Sequence, residues 1–161
     1  MSQDQFEFIV DPAEPVIDVR RVVNAPRALV WDCYTKLEHL RRWKTPKGCE
    51  MVDAEIDMRK GTVWRVRYRR PDGAEFGFHG EIRDAVAPER FTRTFVMDGS
   101  PDEAIETVVL SDASAGKTLI STKTVYATMA VRDRMVQFGG EMGAKGGFEA
   151  LDAVLESLTS S

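Results

Sequence analysis

Along the middle of this chain apolar and polar residues alternate singly, while near its two ends apolar residues recur at three and four positions. The pattern predicts strands flanked by helices. Around position 65, Trp64, Val66 and Tyr68 fall on one face and Arg65, Arg67 and Arg69 on the other. Such alternation marks a sheet with one packed face and one wet face. Pro71-Asp72-Gly73 then signals a turn, proline fixing φ and glycine permitting a positive one. The next strand gathers Phe76, Phe78, Gly80 and Ile82 opposite Glu75, His79, Glu81 and Arg83. Pro88-Glu89 makes another turn, and strands over 91–97, 106–110 and 118–126 follow, the last two joined by a loop over 111–116. Short connections between successive strands imply an antiparallel meander.

The flanks read differently. Phe6, Phe8 and Val10 alternate weakly before Asp11-Pro12, so residues 1–15 are an arm or an edge strand. Residues 16–23 are rich in β-branched side chains and read as a strand. Pro26 opens a helix, since its missing N–H costs nothing in the first turn, with Asn24 or Ala25 at the cap. Val30, Cys33, Leu37 and Leu40 give one buried stripe with Trp31, Tyr34 and Trp43 beside it, and Pro46 and Gly48 end the helical region. At the other end Phe148, Leu151, Leu155 and Leu158 define an amphipathic helix, which Val131, Met135 and Phe138 would extend upstream. Between them lie Gly139, Gly140, Gly143, Gly146 and Gly147, each costing about 1 kcal/mol relative to alanine inside a helix. Either the helix breaks there or close approach to something offsets the cost.

This order predicts one α+β domain over 16–158. A curved antiparallel sheet wraps around a long C-terminal helix, with two short helices after the first strand. The helices must cover the apolar face of the sheet, and this helix-grip arrangement leaves a cavity between sheet and helix. A length of 161 residues with 43% hydrophobic and 30% charged side chains matches a single globular domain. The net charge of −4 argues against a nucleic-acid partner, which would need a concentrated basic surface. No run approaches the roughly 18 apolar residues of a membrane span. The polar start of the chain lacks the features of a signal peptide, and Cys33 and Cys49 read as reduced thiols, so the expected location is cytoplasmic.

Candidate chemistry is sparse. His39 and His79 are too few for a usual zinc site, and no metal or cofactor is expected. The glycine-rich stretch over 139–147 lacks the lysine–hydroxyl ending of a phosphate loop and reads as a packing or cavity feature. No nucleophile elbow or Cys–His pair appears, and no catalytic residue is assigned. Asp133 and Glu141 are the carboxylates nearest the expected cavity, read as solvated helix-face charges. His79 reads the same way, beside Glu75 and Glu81. The arginine stripe reads as a solvated outer face interspersed with those same acids.

An ordered series of short motifs adds a resemblance. Asn24-Ala25-Pro26 leads to Trp31, Leu40-Arg41-Arg42-Trp43 and Pro46-Lys47-Gly48. Asp57-Met58-Arg59-Lys60-Gly61 precedes Trp64, and Gly80-Glu81-Ile82, Pro88-Glu89-Arg90-Phe91 and Gly116-Lys117-Thr118 follow. Arg132-Asp133, Gly139, Gly143 and Leu151-Asp152-Ala153-Val154-Leu155 close the series. Over nearly the whole chain this resembles the START-like (SRPBCC) superfamily, in the branch named after the activator of the heat-shock-protein-90 ATPase. The sequence departs from that branch at Lys44, where a second aromatic commonly follows the tryptophan. It departs also at Thr62, in place of a glycine, and at Gly140, in place of a methionine.

Three functions follow as expectations. The first is binding of a small, largely apolar molecule, with Trp64, Tyr68, Phe76, Phe78 and Phe95 of the sheet facing Met135, Phe138, Gly139, Met142 and Gly143 of the helix, and Trp43 guarding the entrance. The second is a cofactor-independent cyclase, hydratase or hydrolase acting on an apolar carbonyl-bearing substrate, which requires an ionisable group pointing into the cavity. The third, from the branch name alone, is a chaperone-interaction module. A monomer or a homodimer is compatible with each.

Overall fold

The computed structural model describes residues 6–159. In it the meander forms one open sheet of eight antiparallel strands in the order β1-β2-β8-β7-β6-β5-β4-β3. The strands are β1 (Phe6–Val10), β2 (Val16–Val23), β3 (Glu50–Glu55), β4 (Val63–Arg69), β5 (Glu75–Val86), β6 (Arg90–Met97), β7 (Glu103–Asp112) and β8 (Thr118–Val125). From β3 to β8 each strand pairs with its chain neighbour, as short turns dictate, and β2 closes on β8. β7 is longer than the expected 106–110, because its pairing with β6 and β8 continues through polar residues at both ends. At the β4–β5 turn Gly73 takes φ +89°, and Asp72 accepts the Ala74 N–H at 3.0 Å.

Two short helices, α1 (Arg27–Thr35) and α2 (Leu37–Lys44), follow β2. Pro26 lies one place earlier than expected. It is the cap itself, with extended ψ 153°, and its carbonyl accepts the Leu29 and Val30 N–H groups. Lys36, in extended conformation, splits α1 from α2. The Trp43 indole closes that elbow by donating to the Cys33 carbonyl at 2.8 Å and meeting the Tyr34 ring edge-on at 4.8 Å.

The C-terminal helical stretch is two helices, α3 (Met129–Gln137) and α4 (Gly140–Thr159). The break falls at Gly139, whose φ of +89° is a conformation that glycine adopts without strain. Gly143, Gly146 and Gly147 remain helical inside α4. Phe148, Leu151, Val154 and Leu155 bury the C-terminal half of α4 against α1, α2 and the sheet. Asp152 of α4 accepts from Arg21 of β2 at 2.6 Å, and Ser157 accepts from Arg42 of α2 at 3.1 Å. Buried Arg132 ties α3 to the β1–β2 connection by donating to the Asp11 and Glu14 carbonyls.

The core has two parts. One joins α1, α2 and α4 to Phe91, Val108, Leu110 and Ile120 of the sheet; the other is Met51, Trp64, Val66, Tyr68 and Ile82 under β3–β5. On the outer face Arg65 pairs with Asp53 and Glu55, and Arg69 with Glu50 and Glu75. Arg67 lies near Glu75 and Asp98, and His79 contacts Asp98 at 2.6 Å. That face is an exposed lattice of opposite charges.

Candidate functional site

Where the N-terminal half of α4 passes over the sheet, the space between them is not filled. A cavity of about 980 Å³ lies there, with Ile17, Val19, Val108, Thr122 and Phe148 among its walls. Its helical side is made by Gly143, Ala144, Gly146 and Gly147, and Trp43 through Lys47 line part of the wall. At Gly143, Gly146 and Gly147 an added Cβ would meet nothing within 4 Å. A smaller space of about 180 Å³ lies between α2 and the β4–β6 region, lined by Trp64, Tyr68, Phe78 and Phe95. Tyr34, Lys44, Pro46 and Arg93 line both.

The expected lining set is therefore divided. Trp43, Met135, Met142 and Gly143 border the large cavity, whereas Trp64, Tyr68, Phe78 and Phe95 border the small one. Trp43 is a buried wall residue rather than an entrance guard, because its indole N–H is held inward by the Cys33 carbonyl. Phe76 borders neither space and packs against Tyr68, tilted, and Phe78, edge-on, with ring centroids at 5.3 and 6.1 Å. Phe138 and Gly139 also border neither, since the break at Gly139 turns Phe138 outward to 83% exposure. Met142 is 80% exposed on the cavity rim.

The polar groups of the site come from elsewhere. Alternation along β6 puts Phe91, Arg93 and Phe95 on the inner face, and along β7 it puts Ala104, Glu106, Val108 and Leu110 there. Arg93 and Glu106 are register partners, and the arginine Nε donates to the carboxylate at 2.7 Å. The guanidinium also lies 4.0 Å from the Trp64 ring centroid, a cation–π contact. Burial alone would push the Glu106 carboxyl up, but Arg93 and Lys44 outweigh it and hold it below its ordinary value. Burial lowers the Lys44 ammonium, opposed by Glu106 and assisted by Arg93. Tyr34 is raised by burial and by Glu106, and Tyr126 by the same two causes to about 12. Both phenols therefore stay protonated and can donate hydrogen bonds.

Lys44 keeps much of its surface accessible and lines the cavity. Asp133 and Glu141, the carboxylates expected nearest the cavity, do not line it. Asp133 pairs with Arg132 at 2.8 Å, and Glu141 is exposed on the first turn of α4. The carboxylates that do line the cavity are Glu149 and, more deeply buried, Glu106. The signal for Glu106 was present in the strand alternation, which set Arg93 in phase with Phe91 and Phe95. Among the described residues no group of His, Cys, Asp and Glu is placed to hold a metal ion. Among them, too, no helix is long and apolar enough to cross a membrane.

An open antiparallel sheet gripping a long C-terminal helix, with two short helices after the second strand, defines the START-like helix-grip class. Within it, residues 24–158 match the family described as activator of Hsp90 ATPase homolog 1-like protein, and the chain belongs to that family. Solved structures share the fold. A Rhodobacter sphaeroides protein is 23% identical, covering 95% of this chain and 99% of its own, with a TM-score of 0.88. A Nitrosomonas europaea protein is 22% identical, covering 94% and 100%, with a TM-score of 0.83. A Mycobacterium smegmatis protein is 18% identical, covering 92% and 95%, with a TM-score of 0.81. No curated protein matches the sequence.

Proposed function

We propose that the protein binds a small, largely apolar molecule in the cavity between the sheet and α4. The observation that carries this reading is the glycine wall of α4. Three helical glycines border empty space, each weakening the helix by about 1 kcal/mol relative to alanine, with no neighbour that requires their small size. Gly147 is half-buried, while Gly143 and Gly146 lie on the open side of that wall. A cavity of about 980 Å³ is of the size that holds one drug-sized ligand. Its walls are mainly aliphatic and aromatic, so desolvation of the ligand would supply most of the affinity.

The test is native mass spectrometry of freshly purified protein beside the same sample denatured. A mass present only in the native spectrum supports the reading, and fragmentation of it gives the ligand class. A thermal-shift screen of apolar compounds that moves no melting temperature would sink it.

One observation favours a second reading, a cofactor-independent enzyme acting on an apolar carbonyl-bearing substrate. Glu106 is an ionised carboxylate in the cavity wall with the protonated phenols of Tyr34 and Tyr126 on the same wall. That set can accept a proton at one atom and donate a hydrogen bond to a carbonyl at another. A chaperone-directed role rests on the family name alone.

A further inference from the structure

Lys44 ends α2 at the boundary of the two cavities. Its backbone is held in place, because the Tyr68 hydroxyl donates to its carbonyl at 2.9 Å. Its ammonium lies 4.7 Å from the Trp43 ring centroid, and among the described residues no carboxylate lies within ion-pair reach of it. Arg93, the other inner cation, is already committed to Glu106 at 2.7 Å and to the Trp64 face at 4.0 Å. Charges on the wall of the large cavity therefore do not cancel. Three cations, Lys44, Lys47 and Arg93, line it against two carboxylates, Glu106 and Glu149, and of these Arg93 and Glu106 are joined directly. A ligand anion beside Lys44 would gain a charge-assisted hydrogen bond that an uncharged head would not.

Resting on the cavity reading above, we infer that the ligand is an amphiphile with a single anionic head, a carboxylate in the simplest case. The head pairs with Lys44 at the boundary of the two cavities, and the apolar body lies along the glycine wall of α4. Lys44 is then the residue that sets specificity, while the walls supply most of the affinity.

The probes are decanoate and decan-1-ol, which share a chain length and differ in head-group charge. Each is titrated calorimetrically into the wild-type chain, Lys44→Met and Lys44→Arg, with melting curves to establish that all three fold. The expected result is decanoate binding about tenfold tighter than decan-1-ol to wild type, in line with a charge-assisted hydrogen bond. The preference is lost in Lys44→Met and kept in Lys44→Arg. Equal affinities in the wild-type chain would overturn the anionic head while leaving the cavity reading intact. A preference that survives in Lys44→Met would overturn the assignment to Lys44. Binding of neither probe would remove the cavity reading, and this inference with it.

Discussion

Arg93 and Glu106 face each other across β6 and β7, joined at 2.7 Å, with side chains only 10% and 14% exposed. A paired charge this deep is costly to break from one side, because the survivor is left buried and uncompensated. Arg93→Met should destabilise the protein by about 3–5 kcal/mol and raise the Glu106 carboxyl. Arg93→Met combined with Glu106→Leu should recover much of that loss. Urea denaturation of the two single variants and the double closes the cycle. Strictly additive costs would show that the pair is not coupled.

Gly80 and Trp64 are cross-strand partners, and the Trp64 indole donates across β5 to the Thr94 carbonyl at 2.9 Å. A Cβ at position 80 would stand 1.9 Å from that carbonyl oxygen and 2.7 Å from the indole nitrogen. Backbone cannot yield to that extent. Gly80→Ala should cost about 1–3 kcal/mol from overpacking, and about 1 more from the displaced hydrogen bond. A lowered melting temperature with altered tryptophan fluorescence would report both effects.

Gly147 is one α-helical step of four residues before buried Leu151, so a side chain there points into the cavity. Gly147→Leu should raise stability by roughly 0.8 kcal/mol through helix propensity, since nothing stands within 4 Å of the new Cβ. The same change should abolish retention of any ligand seen by native mass spectrometry. A variant that is more stable and still fully loaded would place the ligand elsewhere.

Alkaline pH should weaken the fold. Burial raises Cys33 from 9.0 to about 11 and Tyr68 and Tyr126 from 10.0 to about 12, and it raises Tyr34 as well. These groups keep protons in the folded chain that the unfolded chain has released, so stability falls as pH climbs from about 9 towards 12. Lys44 acts with the opposite sign. Its folded value lies below 10.5, so it favours the fold as pH rises to that point. With four groups against one, the urea midpoint should decline from about pH 9 upward, and less so in Tyr34→Phe. A midpoint flat through pH 11 would contradict the burial of these phenols.

The sheet was legible because period-two patterning is local. Trp64, Val66 and Tyr68 share a face in any antiparallel sheet, and the turn at Pro71-Asp72-Gly73 leaves little choice of partner. The same patterning also held Arg93 and Glu106 in phase with their apolar neighbours. Neither stands out until the register between β6 and β7 shows that the two inward charges meet. Lys44 was visible only as a departure from a family pattern. Its direction depends on how α2 docks, which no local signal encodes.

The glycine stretch shows the division most plainly. Sequence alone determined that residues 139–147 carry a penalty for helix, and that the stretch marks either a break or a packing or cavity wall. Tertiary structure decided that both occur. Gly139 takes the positive φ that ends α3, while Gly143, Gly146 and Gly147 stay helical beside open space. Backbone propensity is a property of each residue, so it can be read along the chain. Whether a missing side chain leaves a void depends on what the rest of the fold brings opposite it.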